Sequence, residues 1–194
     1  MSIEEQAKPT NREEALARLR DKQSLAGLDL SGLDLSEIKL TGLEMPGANF
    51  AKANLHKAII AGINLADADL SGVTLDGALI AGANMANVNL QGASLKAAKV
   101  SGANLQDANL TETDLSESIF VATNVGGADF TGAVTTNARS NAVAWARAKV
   151  PPVATPDVLR PPAWTVFAVL GLLGLVGAAG IAAYLLSRKK PATD

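Results

Sequence analysis

The sequence predicts a repeat fold in which the chain winds into stacked coils, four five-residue units to a turn. Three observations predict it. A large apolar residue returns at every fifth position, from Leu30, Leu35, Leu40, Met45, Phe50 and Leu55 onward to Phe130. Two positions before each stands an apolar or small residue: Leu28, Leu33, Ile38 and Leu43 at first, then mostly alanine, as at Ala48, Ala53, Ala58 and Ala128. Between the two sits Asp, Asn, Ser or Thr nearly throughout, but the position becomes Lys39, Ile59, Leu79, Lys99 and Ile119 at intervals of twenty.

A period of five fits neither regular element. On an α-helix it advances each side chain by roughly 140° and spreads the apolar set around the cylinder; on a strand it alternates between faces. A winding chain, each unit stacked on its equivalent one coil later, gathers all of these residues into one core. The interval of twenty sets four units per coil and places the five exceptions above one another on one side.

The unit is Ala-Asn/Asp-Leu followed by two small or polar residues, as in Ala53-Asn54-Leu55 and Ala68-Asp69-Leu70. It resembles the A(D/N)LXX motif of pentapeptide repeat proteins, over more than half of the chain. The resemblance implies an all-β fold, a right-handed quadrilateral parallel β-solenoid whose central residue and preceding small residue point inward while the other three point out.

The elements follow in order. Residues 1–24 form a polar N-terminus and a capping helix. The first nine residues hold no apolar run that could serve as a signal peptide, so the repeat domain is expected to stay on the side where it is made. Thr10 and Glu13 offer a capping box ahead of Ala15, Leu16 and Leu19. The helix presents a narrow apolar stripe, read as a lid over the first coil, whose open end needs covering.

Residues 25–136 form the solenoid. Three of its sides display ladders of polar residues, for instance Asn64, Asn84, Asn104 and Asn124 on one, and Asp29, Asn49, Asp69, Asn89, Asn109 and Asp129 on the next. Such ladders pair side-chain amides along the stack. The fourth side carries Lys39, Ile59, Leu79, Lys99 and Ile119 beside the small Thr41, Ala61, Ala81, Ser101 and Val121. It is the candidate protein-contact face.

Over residues 28–134 twelve carboxylates stand against five lysines, a net charge of −7, while the whole chain carries −2. No basic field for nucleic acid is predicted. Some members of the family resemble DNA in shape and charge and bind type II topoisomerases. That acidic DNA-mimic role is the alternative reading here, weakened by the scatter of the charge around Lys52, Lys57, Lys96 and Lys99.

With no Cys and one His, disulfides and thiolate metal sites are excluded. His56 stands beside Lys57 with no second His or base-oriented Ser to form a recognisable triad, and Asp67 and Asp69 read as solvated turn residues. The sequence therefore predicts no catalytic site, no metal site, no cofactor and no small-molecule substrate.

Beyond the repeat, residues 137–150 are rich in helix formers and predict a C-terminal capping helix, with Trp145 sealing the last coil. Residues 151–162 hold five prolines and predict an extended linker. Residues 163–186 are uncharged, long enough to span the roughly 30 Å of a bilayer core, and predict one transmembrane helix. Trp164 and Tyr184 mark its two interfaces, and Arg188, Lys189 and Lys190 in the basic tail 187–194 stop it. Gly174 and Ala178 form one small-xxx-small pair, a basis for self-association.

The functional expectation is a non-enzymatic scaffold or interaction module. It is held at a membrane by one span, with its repeat domain cytoplasmic at a bacterial inner membrane, and it offers a flat face to a protein partner.

Overall fold

The computed structural model describes residues 8–21 and 25–158. The chain divides into two compact units, Met1–Val158 and Leu159–Asp194. The predicted span 163–186, the tail 187–194 and the anchors Trp164, Tyr184, Arg188, Lys189 and Lys190 lie outside the described residues. Among those described, no helix is long and apolar enough to cross a membrane.

The first unit is a parallel all-β solenoid of about six coils with one short helix at its N-terminal end. Seven strands line one side in sequence order: β1 Lys39–Thr41, β2 Ile59–Ala61, β3 Leu79–Ala81, β4 Lys99–Ser101, β5 Ile119–Val121, β6 Arg139–Asn141 and β7 Asp157–Val158. Each pairs in parallel with the next, Ile59 against Leu79 and Leu79 against Lys99. The other three sides pair through single bridges at the same interval, as Asp29 with Asn49, Asp34 with Asn54 and Glu44 with Asn64. The sequence period of twenty is therefore one coil, and the coil has four sides.

The inside follows the expected rule. Leu30, Leu35, Phe50, Leu55, Ile60 and Leu70 are buried to 1% exposure or less, and Ala48, Ala53, Ala58 and Ala68, two before the last four, line the same core. In the fifth coil Thr113 and Ser118 replace alanine, and each satisfies its buried hydroxyl on the carbonyl three residues back, Leu110 and Leu115.

Each corner is a tight turn, as where the Ala53 N–H donates to the Phe50 carbonyl at 2.9 Å. The residue two past each central one has positive φ, from Gly27 to Ala142. Half of these places are glycine, which accepts that conformation without a Cβ clash; Lys52, Asp67 and Ala97 hold it with a side chain. The spread of glycine at this one phase of the repeat was a readable signal of the turn, and sequence reasoning passed over it.

The helix α1, Arg12–Asp21, covers the first coil: Ala15 and Leu19 are buried in one cluster with Leu25, Leu30 and Leu35, and Arg12 donates to the Asp34 carbonyl at 3.2 Å. Its cap sits one residue later than the sequence suggested. Asn11 Oδ1 accepts from the Glu14 N–H at 3.0 Å, while Glu14 reaches back to the Thr10 N–H at 2.8 Å. The N-cap is thus Asn11, with Glu14 accepting from the Thr10 N–H and hydroxyl one residue before it, and not a box of Thr10 with Glu13.

Two C-terminal expectations are corrected. Residues 137–150 form no α-helix; they continue the solenoid through β6 and a 3₁₀ turn at Trp145–Arg147. The five-residue register persists beneath the altered composition, with Thr135, Ser140 and Trp145 buried at the inward positions. Ladder bonds such as Arg139 N–H to the Ser118 carbonyl at 2.9 Å outweigh the local helix preference of the alanines. Nor are residues 151–158 a free linker: Pro152 and Pro156 are buried and β7 pairs with β6. Proline has no N–H to donate, and the outermost edge of a sheet is where it is tolerated.

Candidate protein-contact face

The side built by β1 to β6 differs from the others because its coil segments are three-residue strands rather than single bridges. In each strand the middle residue points in and the flanking two point out: Leu79 and Ala81 bracket the buried Ile80. Stacking then aligns Lys39, Ile59, Leu79, Lys99, Ile119 and Arg139 in one outward column. Leu79 is 42% exposed, Lys39 and Lys99 are exposed, and Ile59 and Ile119 are half-buried by their neighbours in the column.

Beside the column runs a row of small side chains, Thr41, Ala61, Ala81, Ser101 and Val121, followed at the corner by Gly42, Gly62, Gly82 and Gly102. The sequence listing placed these residues on one side, and the structure brings them together with matched register. Sequence reasoning missed the charge pattern. All twelve carboxylates of residues 28–134 fall on the other three sides or on the corners, and the face from Lys39 to Ala142 has none. Asp157 in β7, paired in register with Arg139, is the first carboxylate on this side.

The polar sides show why Asn and Asp recur. Asn84 Oδ1 accepts from the Ala86 N–H two residues on at 3.4 Å and from Asn104 Nδ2 at 3.2 Å, while its own Nδ2 donates to Asn64 at 3.0 Å. One side chain closes its own turn and ties two coils. The column runs Glu44, Asn64, Asn84, Asn104, Asn124, each amide donating to the member before it. A second runs Asp69, Asn89, Asn109. Some carboxylates at these positions are stabilised as anions by the same turn bond: the Ser36 N–H holds Asp34 below the usual carboxylate range, and the Thr131 hydroxyl and N–H do so for Asp129.

His56 lies half-buried on a neighbouring side, its backbone N–H on Asn54 Oδ1 at 3.1 Å. Ser94 donates to Asp76 at 2.6 Å and Lys96 pairs with Asp114 at 3.1 Å, a surface network of ordinary ion pairs and turn bonds. Among the described residues no group of three or more His, Asp or Glu side chains is arranged to hold a metal ion. A shallow cavity of about 300 Å³ opens at the C-terminal end between Thr135, Ala138 and Val153.

Comparison with known proteins agrees with the geometry. A family model described as pentapeptide repeats matches in eight copies over residues 29–67, 63–102 and 98–134. Among solved structures, a trypsin-treated form of QnrB1, described as a plasmid-mediated fluoroquinolone resistance protein, aligns with a TM-score of 0.58 at 21% identity over 78% of this chain and 86% of that one. Rfr23 of the cyanobacterium Cyanothece 51142 aligns over 67% and 96% at 22% identity with a TM-score of 0.38. HetL of Nostoc sp. strain PCC 7120, described as involved in heterocyst differentiation regulation, aligns over 66% and 70% at 30% identity with a TM-score of 0.29. No curated protein matches.

Proposed function

The chain belongs to the pentapeptide repeat family, and from that premise we propose that it is a non-enzymatic interaction module whose β1 to β6 face binds a protein partner beside a membrane. The observation that carries the reading is the exposed column itself: Ile59, Leu79 and Ile119 break a surface whose other sides spend the same position on turn-closing Asn and Asp. Leu79 stands 42% exposed and Ile59 and Ile119 keep part of their surface in solvent, so this column spends apolar area on the outside of the solenoid. A flat apolar strip ringed by polar sides is the usual anatomy of a contact surface.

The membrane half of the proposal rests on residues 163–186, an uncharged stretch ended by Arg188, Lys189 and Lys190. The solenoid, wound right-handed as its family resemblance implies, would then stand on the cytoplasmic side of a bacterial inner membrane. The face is tested by Ile59→Asp and Leu79→Asp: circular dichroism is expected to stay unchanged while capture of a partner, or self-association, is lost. Retained capture would remove this face from the proposal. Carbonate extraction tests the anchor, with the intact chain expected in the pellet and release into the supernatant counting against it.

A second reading is favoured by the confinement of the carboxylates to three sides: an acidic surface that mimics DNA and inhibits a type II topoisomerase. Its test is DNA supercoiling in the presence of micromolar protein. No inhibition is expected, because Lys52, Lys57 and Lys96 interrupt those sides.

A further inference from the structure

We infer that the column on β1 to β6 receives an acidic amphipathic α-helix laid along the coil axis, with carboxylates over Lys39, Lys99 and Arg139 and apolar residues over Ile59, Leu79 and Ile119. The inference rests on the reading of this side as a protein-contact face and gives the partner a chemistry.

Spacing is the first argument. Coils rise by about 4.8 Å, the parallel-strand separation, so the column offers one side chain per 4.8 Å in the order Lys, Ile, Leu, Lys, Ile, Arg. One stripe of a helix offers a side chain every 3.5 residues on average, about 5.25 Å. Over the six positions the two rulers drift by only about 2 Å. An extended strand offers same-side residues about 6.6 Å apart and loses register by the third position.

Shape is the second. The row from Thr41 to Val121 and the glycine corner from Gly42 to Gly102 stand low beside the column, so a cylinder can lean against it and cover the apolar residues from one flank.

Charge is the third. Lys39, Lys99 and Arg139 form no ion pair among the described residues, and the face from Lys39 to Ala142 holds no carboxylate to oppose them. Glu37 and Glu117 at the preceding corner bound the strip on the side away from the glycines, and Asp157 stands beside Arg139 where the column ends. A partner with carboxylates at the first, fourth and sixth contacts meets cations, of which Lys39 and Lys99 have no acid beside them in the column, and one with lysines there is repelled.

The test uses purified full-length protein in a non-ionic detergent and two fluorescent synthetic helices of eighteen residues. Both carry Leu at their positions 4, 8 and 15; one has Glu and the other Lys at 1, 11 and 18. By anisotropy the Glu peptide is expected to bind at least fivefold more tightly than the Lys peptide. The double variant Lys39→Glu, Lys99→Glu, which leaves two acids against one cation in the column, is expected to reverse the preference, while Lys52→Glu, on another corner, leaves it unchanged. Equal binding of the two peptides, binding of neither, or a preference that survives Lys39→Glu, Lys99→Glu overturns the inference.

A third arm separates protein from lipid. The chain has no cysteine, so Leu79→Cys takes a single environment-sensitive dye. A blue shift with the Glu peptide is expected; a shift with phosphatidylglycerol vesicles and none with the peptide assigns the face to an anionic bilayer and overturns the helix. Partner capture lost in Ile59→Asp and Leu79→Asp, together with failure of both peptides, would leave the contact face standing and remove only the helical, acidic partner.

Discussion

A single Asn side chain shows how the repeat is written. Asn84 must accept from its own turn and donate to Asn64 at once. Asn84→Asp keeps the acceptor but loses the donor and sets two oxygens against each other, so it should cost about 1–3 kcal/mol by urea denaturation. The turn residue argues the opposite way. Ala97 holds a φ of 55° that glycine adopts freely, and Ala97→Gly should raise stability by about 1 kcal/mol, read as a higher melting temperature. For Asp34 the Ser36 N–H, and for Asp129 the Thr131 hydroxyl, depress the folded-state pKa. A depressed carboxylate contributes its stabilisation above its unfolded value, about 4, and loses it as pH falls through the folded value. Melting temperature should therefore hold from pH 7 to 5 and drop below about pH 4, with a shallower drop in the double variant Asp34→Asn, Asp129→Asn. That Asn and Asp recur was legible from the sequence; the bond to the N–H two residues on was not, because it depends on a left-handed turn that no apolar pattern encodes.

Among the elements, the strands of the repeat were legible because each apolar position has one destination, and the two ends were less so. The helix α1 was visible from its stripe, but Thr10 and Asn11 are both good caps, and the choice went to the residue that lets Ala15 and Leu19 reach the first coil. Asn11→Ala should lower stability by about 1 kcal/mol in the same denaturation assay. At the other end, Ala-rich composition pointed to a helix while the buried register pointed to a coil, and packing decided between them. Trp145 meets Phe120 and Phe130 edge to face at 5.7 and 5.4 Å, and its Nε1 donates to Ser140 at 3.1 Å. Trp145→Ala should cost about 3–5 kcal/mol, and hydrogen exchange should show 135–158 opening first while 45–104 stays protected.

At the scale of the whole solenoid, the period of twenty in the sequence already defined the coil and aligned Lys39, Ile59, Leu79, Lys99 and Ile119 in one outward column. The charge segregation escaped because carboxylates scattered along the sequence look scattered until the chain is folded into four sides. Stability here is close to a sum over neighbouring coils. Removing residues 65–84 should therefore leave a folded, shorter rod with an unchanged circular dichroism shape, whereas removing 65–69 turns every later side by a quarter and should abolish cooperative melting.

The amide columns also have a direction. Wherever an Nδ2 bonds across coils it reaches toward the N-terminal neighbour, so the first member of each bonded run has nothing left to give to, and a group that only accepts suits that place. Glu44 opens one column, Asp69 begins the bonded run Asp69, Asn89, Asn109 within the next, Asp34 receives from Asn54 and Asp67 from Asn87. The rod thus carries an arrow in its side chains as well as its backbone, and a transplanted coil fits only if its donors follow the host's heading.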